Sequence, residues 1–247
     1  MAVYVAAHKA FKKDLPQGYI PLQVGAAGKE KLGYLSDDTG DNISEKNPNF
    51  CELTGVYWIW KNRSDDFAGL VHYRRYFTKG GKILTSQQIE KTLENYDIIL
   101  AKPEYLRESA YEEFSLHSGR EKDLVLLRGV IQKLYPNYLP AFDTVMRGNK
   151  LHLYNMMITD FKKYSAYCEW LFDILFELEK NVDMTGYTPY ESRLYGFLSE
   201  RLLNVWVLHN GLRVCNMRVL NTDMGTKEKL KLFLRRQKNR IMFALCR

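Results

Sequence analysis

DDFAGLVHYRRYF, residues 65–77, decides how this chain is laid out. Residues 67–71 are a short apolar run of the kind that makes a buried strand, and the run stops abruptly at His72, Tyr73, Arg74 and Arg75. Arginine is rarely interior unless something negative meets it. Two explanations stand side by side. Arg74 and Arg75 pair with Asp65 or Asp66 at a surface turn, or they face an anionic ligand at the mouth of a strand.

Outward from this strand, apolar runs and helical stretches alternate. Residues 3–7 and 20–25 are apolar runs that end in small residues, and they predict strands. Residues 26–48 form a long polar loop rich in Gly, Asp and Asn, and loops of that length in a compact domain tend to be functional or mobile. Helices are expected over residues 50–62 and 86–95, a strand over 97–101, and helix again through most of 108–147 with a break at YPNYLP. Residues 151–158 read as a further strand, with Thr159 or Asp160 placed to cap a helix that runs to about residue 179. Pro189 can open the next helix, Gly211 can end it, and residues 213–220 make a last strand. Strands that alternate with helices predict an α/β fold with a largely parallel sheet.

Composition narrows the class. The chain has 247 residues, 46% of them hydrophobic, enough to bury a core. The start lacks the basic-then-apolar layout of a signal peptide, and no stretch is apolar enough for a membrane span. Cys51, Cys168, Cys215 and Cys246 lie far apart, which suggests reduced thiols, neither a zinc site nor a disulfide framework. The net charge is +7, but residues 227–247 hold eight Lys or Arg against one Glu, which leaves 28 of each sign in residues 1–226. A neutral body argues against nucleic-acid binding.

Ligands of such sheets sit beyond the carboxyl ends of the strands. Ala7 ends the first strand and His8 and Lys9 follow it, Ala26 and Ala27 follow the second, and His72 to Arg75 the third. Convergent cations there would attract an anion, and the arginine fork suits phosphate oxygens. In the polar loop, Asp38, Asp41, Asn42, Ser44 and Asn47 can bond sugar hydroxyls or, as the plainer alternative, one another in Asx turns. Asn155 is a further candidate for donor or acceptor. Glu52 is explained by the dipole of the helix it opens. His117, His152 and His209 lack metal-ligand spacing and read as structural. Arg193 and Glu200 share a helical face, either as an ion pair or as a phosphate ligand and a catalytic base.

The stretches YVAAHK (4–9), VGAA (24–27), DDTGDNIS (37–44), NPNFCELTGVYWIWKN (47–62), GLVHYRRYF (69–77), NMMI (155–158) and RLYGFLSERL (193–202) together resemble a bacterial family of capsule and exopolysaccharide gene clusters. Many members are labelled only as a domain of unknown function, and the family is regarded as glycosyltransferases. The resemblance spans about residues 3–206. It implies the single Rossmann-like, A-type glycosyltransferase fold and a nucleotide-sugar donor, in the leading case a UDP-sugar such as UDP-galactofuranose. It also implies a lipid-linked oligosaccharide acceptor.

Members of the A-type fold usually end an early strand in Asp-x-Asp, which holds a divalent metal. Here that place holds His-Tyr-Arg-Arg, while Asp37-Asp38 and Asp65-Asp66 are adjacent acids. The expectation is therefore no divalent metal, with Arg74 or Arg75 neutralising the donor diphosphate, His72 beside them, and His8, Lys9 and Arg193 available to the donor. Glu200 is the candidate base.

Residues 227–247 complete the picture as a basic amphipathic tail. Leu230, Phe233, Leu234, Ile241 and Phe243, with Leu245, are interleaved with Lys229, Lys231, Arg235, Arg236, Lys238 and Arg240, and the first four fall on one side of a helix. This predicts an enzyme of the cytoplasm, held peripherally on the inner face of the plasma membrane. The plainer alternative is a helix packed on the body with a solvated basic face. The alternative function is a non-catalytic, membrane-associated assembly protein that keeps the sugar-nucleotide fold.

Overall fold

The computed structural model describes residues 2–245, with the backbone alone for Thr226, Lys229, Ala244 and Leu245. The side chains of Lys229, Leu245 and Cys246, named above, lie outside the described residues. In chain order the first strands are β1 (Ala2–Ala7), β2 (Tyr19–Gln23), β3 (Leu35–Ser36), β4 (Phe67–His72), β5 (Arg75–Lys79) and β6 (Lys82–Ile83). They are followed by β7 (Ile98–Ala101), β8 (Glu104–Tyr105), β9 (Lys150–Leu151), β10 (Met157–Asp160) and β11 (Val214–Asn221). The helices are α1 (Asn47–Phe50), α2 (Leu53–Asn62), α3 (Ser86–Leu93), α4 (Ala110–His117) and α5 (Glu121–Leu134). After these come α6 (Leu139–Arg147), α7 (Phe161–Glu179), α8 (Leu194–His209) and α9 (Thr226–Leu245).

The chain packs as two compact units. The first takes in the chain as far as Lys102, with Tyr154–Phe172 and Leu212–Asn221. The second takes in Pro103–Leu153, Asp173–Gly211 and the chain from Thr222 onward. Residues 1–226, read as one domain, thus contribute to both units, and α9 belongs to the second.

The first unit is built on a nine-stranded sheet in the order β3-β2-β1-β4-β10-β7-β11-β5-β6. The strands β3, β2, β1 and β4 are parallel, as are β7 and β11. Antiparallel pairings join β10 to β4 and β7, and β5 to β4, β11 and β6. The sheet is mixed, which corrects the expectation of a mostly parallel one. A parallel neighbour needs a long crossover, whereas a strand entering from the end where its neighbour left runs antiparallel. The turn at Tyr73 and Arg74 makes β5 such a strand, and the turn at Tyr154 and Asn155 does the same for β10.

Those turns also correct two boundaries. Residues 151–158, expected as one strand, split into β9 and β10, so Asn155 lies in the turn between two strands instead of within one. Residues 50–62, expected as one helix, split into α1 and α2 where Cys51 takes φ 52°.

The sheet carries its core on continuous apolar strands. Residues Ala2–Ala7 of β1 and Ile98–Ala101 of β7 are buried along their whole length, as strands covered on both faces must be. Val3, Val5, Val71, Phe77, Ile99 and Ile158 pack with Leu84 and Ile89 below α3. Each large apolar side chain there contributes roughly 1.5–3 kcal/mol of burial. Gly55 lets α2 lie close on the sheet, since a Cβ there would fall 2.7 Å from Val24 Cγ1.

The second unit is helical, with β8 and β9 as a small ribbon. A 3-10 turn at Pro136–Tyr138 separates α5 from α6, where YPNYLP marked the break. Arg201 of α8 is 1% exposed. It pairs with Glu113 of α4 and donates to the Phe197 carbonyl at 2.9 Å, the partnering that a buried charge requires.

Candidate functional site

The carboxyl ends of β1 and β4 are adjacent in the sheet, with Ala6 opposite His72. What leaves them is basic and aromatic. His8 sets its ring edge-on to Tyr73 at 5.3 Å, and Lys9 lies 5.6 Å over the same ring. Arg74, in the β4–β5 turn, places its guanidinium 5.7 Å from the Tyr73 ring centre. Arg75 lies 4.6 Å over the ring of Tyr154.

The mixed sheet is what brings the next group in. Met157 is opposite Leu70 in the antiparallel β10–β4 pair, which places Asn155 level with His72. Had β10 run parallel, Asn155 would sit at the far end of the sheet. His72 Nε2 lies 2.7 Å from the Tyr154 carbonyl and donates to it, which fixes the tautomer and leaves Nδ1 as an acceptor. Asn155 Nδ2 donates to Glu52 Oε1 at 2.8 Å. Glu52 is therefore held by a residue 103 positions away. Its place at the start of α2 does not by itself explain it.

Three non-glycine residues with positive φ surround this point: Cys51 (52°), Tyr154 (80°) and Asn155 (50°). Such conformations cost of order 1–3 kcal/mol each and concentrate at functional sites. Cys51 immediately precedes Glu52, Tyr154 supplies the carbonyl that holds His72, and Asn155 donates to Glu52, so all three adjoin these side chains.

Cations predominate among these side chains. Desolvation against its neighbours holds His8 below the ordinary histidine range, and the cations Arg74, Lys9, Lys29 and His72 push it the same way. Burial lowers His72 as well, against the opposing pull of Glu52 and of the Tyr154 carbonyl. The acids once considered as partners for the arginines lie elsewhere. Asp65 accepts from Tyr4 Oη at 2.9 Å and sits 3.8 Å from Arg63 Nε, before β4 begins. A six-residue strand separates it from Arg74 by roughly 20 Å. The surface-turn explanation of Arg74 and Arg75 fails on that distance.

The polar loop is bonded to itself. Asp37, fully buried, accepts from the amides of Gly25 (2.8 Å) and Ala26 (3.0 Å) and from Ser44 Oγ (2.5 Å). The Ala27 amide goes to Ser44 Oγ at 3.0 Å, so the backbone after β2 is already engaged. Asp38 pairs with Lys31 and Ser36. Asp41 accepts from Tyr57 Oη at 3.0 Å, and Asn42 makes a local turn with Gly40 and Ser44. Asn47 donates to the Cys51 carbonyl at 2.7 Å and to Thr54 at 3.2 Å, directly buttressing the strained residue before Glu52. Asp38, Asp41, Asn42, Ser44 and Asn47 are thus all engaged within the fold in this geometry. Ala7 ends β1 with its carbonyl taken by the Val24 amide at 2.9 Å.

Arg193 and Glu200 belong to the second unit. Arg193 lies 5.3 Å over Phe197 from a 3-10 turn before α8. The Glu200 carboxylate is 3.9 Å from Arg201 Nη1, where it helps neutralise a buried charge. Among the described residues no three His, Cys, Asp or Glu side chains converge as a metal-ligand set. Sequence reasoning missed Tyr154 and the pairing of Glu52 with Asn155. Only the contact between residues distant in the chain reveals either.

Comparison with known proteins places this geometry in a family. Residues 2–211 match the family described as domain of unknown function DUF4422. The apo structure of the bifunctional glycosyltransferase WbbM superposes with a TM-score of 0.85 at 29% identity over 91% of this chain. The chain covers 45% of the length of that protein. No curated protein matches.

Proposed function

This chain belongs to the DUF4422 family, and from that premise we propose that it is a glycosyltransferase. The donor is a nucleoside-diphosphate hexose, in the leading case a UDP-sugar, with UDP-galactofuranose the first candidate to test. The acceptor is a lipid-linked oligosaccharide of capsule or exopolysaccharide synthesis. The supporting observation is the cationic cluster at the ends of β1 and β4, joined there by the Glu52–Asn155 pair. A diphosphate gains most from donors fixed before it arrives, because they need no reorganisation as charge builds on the leaving group. Arg75 and Arg74 supply that charge, and His8 and Lys9 extend it along the donor.

Glu52, and not Glu200, is assigned as the base that takes the acceptor proton. Its carboxylate is aimed by Asn155, whereas that of Glu200 lies beside a buried guanidinium. The reaction proposed breaks the anomeric C–O bond to the diphosphate, forms a new one to the acceptor oxygen, and leaves the proton on Glu52.

UDP release from a UDP-sugar, measured with purified acceptor, tests the function. Transfer is expected to persist in EDTA, because fixed cations take the place of a metal at the strand end. A rate that collapses in EDTA and returns with manganese overturns that part and points back to the acids at Asp37 and Asp38.

The histidine adds a pH dependence. His8 has a folded pKa below the unfolded value of about 6.5, so the unfolded chain takes up the proton first as pH falls. Stability that His8 contributes in its neutral form is expected to fade on acidification through that pH. A bound diphosphate favours the protonated ring and reverses the effect. Calorimetry with UDP from pH 7.5 to 6 should therefore show a gain in wild-type affinity relative to His8→Gln, a comparison that removes the titration of UDP itself. Parallel pH profiles for the two proteins would exclude His8 from the site.

A further inference from the structure

The second unit carries a feature that sugar transfer does not use. Of the twelve large hydrophobic residues exposed among the described residues, five lie on α9. Leu230 is 60% exposed, Phe233 52%, Leu234 58%, Ile241 59% and Met242 45%. Contiguous apolar exposure of this kind marks an interaction surface.

The opposite side of α9 is engaged. Arg236 pairs with Glu104, which is 7% exposed, and Asn239 Nδ2 donates to the Tyr105 carbonyl at 2.9 Å. Phe243 lines a groove with Leu124, Phe142 and Met146. At about 100° per residue, Leu230, Leu234 and Ile241 fall within roughly 40° of one another, and Arg236, Asn239 and Phe243 lie roughly opposite. The helix is held by one face and offers the other without needing to undock. The packed side agrees with the plainer alternative for the tail, a helix docked on the body.

Charge identifies what the free face fits. Lys227, Lys231, Arg235 and Lys238 follow one flank of the apolar stripe, with Arg240 near the other. Glu228, the one acid of the helix, is turned to the Gly225 amide at 2.9 Å. A second copy of this chain would bring the same basic flanks against each other. An anionic surface with an apolar interior matches both components. Among the described residues no helix is long and apolar enough to cross a membrane, so such a helix would lie in the surface.

We propose that α9 is an interfacial anchor that inserts Leu230, Phe233, Leu234 and Ile241 into an anionic lipid leaflet while Arg236 keeps it fixed to Glu104. The proposal stands on this helix alone and does not need the glycosyltransferase reading, so either can fail without the other. Removal of residues 227–247 is the cruder probe, because it strands the buried Glu104 without its guanidinium. Point variants on the exposed face leave that pair intact.

The test is cosedimentation of the full chain with vesicles of phosphatidylglycerol and phosphatidylcholine, against pure phosphatidylcholine, at low and high salt. Binding is expected only to the anionic vesicles, with release by salt. Joint replacement Phe233→Glu and Leu234→Glu should lower partitioning at least tenfold, with an unchanged thermal melt. Lys231→Gln, Arg235→Gln and Lys238→Gln together should weaken it by about fivefold per residue. Failure of the full chain to bind anionic vesicles at low salt overturns the proposal. So does unchanged binding by both sets of variants, or a dimer in sedimentation velocity that the Glu variants turn into a monomer without any vesicle binding.

Discussion

Glu52→Gln is expected to reduce sugar transfer by about 10²–10⁴-fold while UDP binds as before, the range general-base removal produces. The substitution keeps an oxygen where Asn155 Nδ2 now donates, so the 2.8 Å contact and the strained turn at Cys51 can persist. Only the ability to accept a proton is lost. A loss confined to kcat, with UDP affinity held, is a change that a purely structural role would not produce. Asn155→Ala, which frees the carboxylate without removing it, should lower kcat more than it raises KM. Transfer by Glu52→Gln within threefold of wild type, or loss of UDP binding along with activity, would show that Glu52 serves the fold and not the chemistry.

Arg75→Ala is expected to cost roughly 3–4 kcal/mol of transition-state stabilisation, the loss seen when one fixed donor to a developing charge is removed. The guanidinium lies over the Tyr154 ring at 4.6 Å, and among the described residues no acid forms a salt bridge with it. On the proposed reading it is placed in advance of the donor diphosphate. Lysine should restore activity in part only, because it keeps the charge but loses the planar fork and its stacking on Tyr154. Arg74→Ala should act in the same direction from the adjoining turn. Full activity in both alanine variants would leave the two arginines as surface residues. The reading of the cluster as a diphosphate site would then fall.

What could be read from the residues alone follows from which forces act locally. The strands β1, β4 and β7 and the helices α7 and α8 announce themselves through uninterrupted apolar runs or helical spacing, and Asp160 caps α7 by accepting from the Lys163 amide at 2.8 Å. The cations at the end of β4 were visible for the same reason, since a sharp change of polarity survives in one dimension. The split of LHLYNMMI was not visible. Apolar residues continue across it, and the backbone reversal at Tyr154 and Asn155 leaves no trace in hydropathy. The direction of β10 was lost with that split, and with it the arrival of Asn155 beside His72. The loop from Asp37 to Asn47 stayed open for a different reason. Residues that suit sugar hydroxyls also suit partners within the fold, and only the folded contacts show which of those they have met.

The path of the chain through the first unit has a consequence for its birth. β10 fills the slot between β4 and β7, yet it is made some 55 residues after β7 would begin to pair. At translation rates of about 5–20 residues per second, the edges of β4 and β7 wait on the ribosome for roughly 3–10 s with their amides and carbonyls uncovered. β11, which pairs with β7 on its other side, comes later still. Exposed edges of this kind recruit stray strands from other chains. The nascent protein therefore carries its greatest danger of misassembly midway through synthesis, and slowing translation beyond residue 102 would lengthen it.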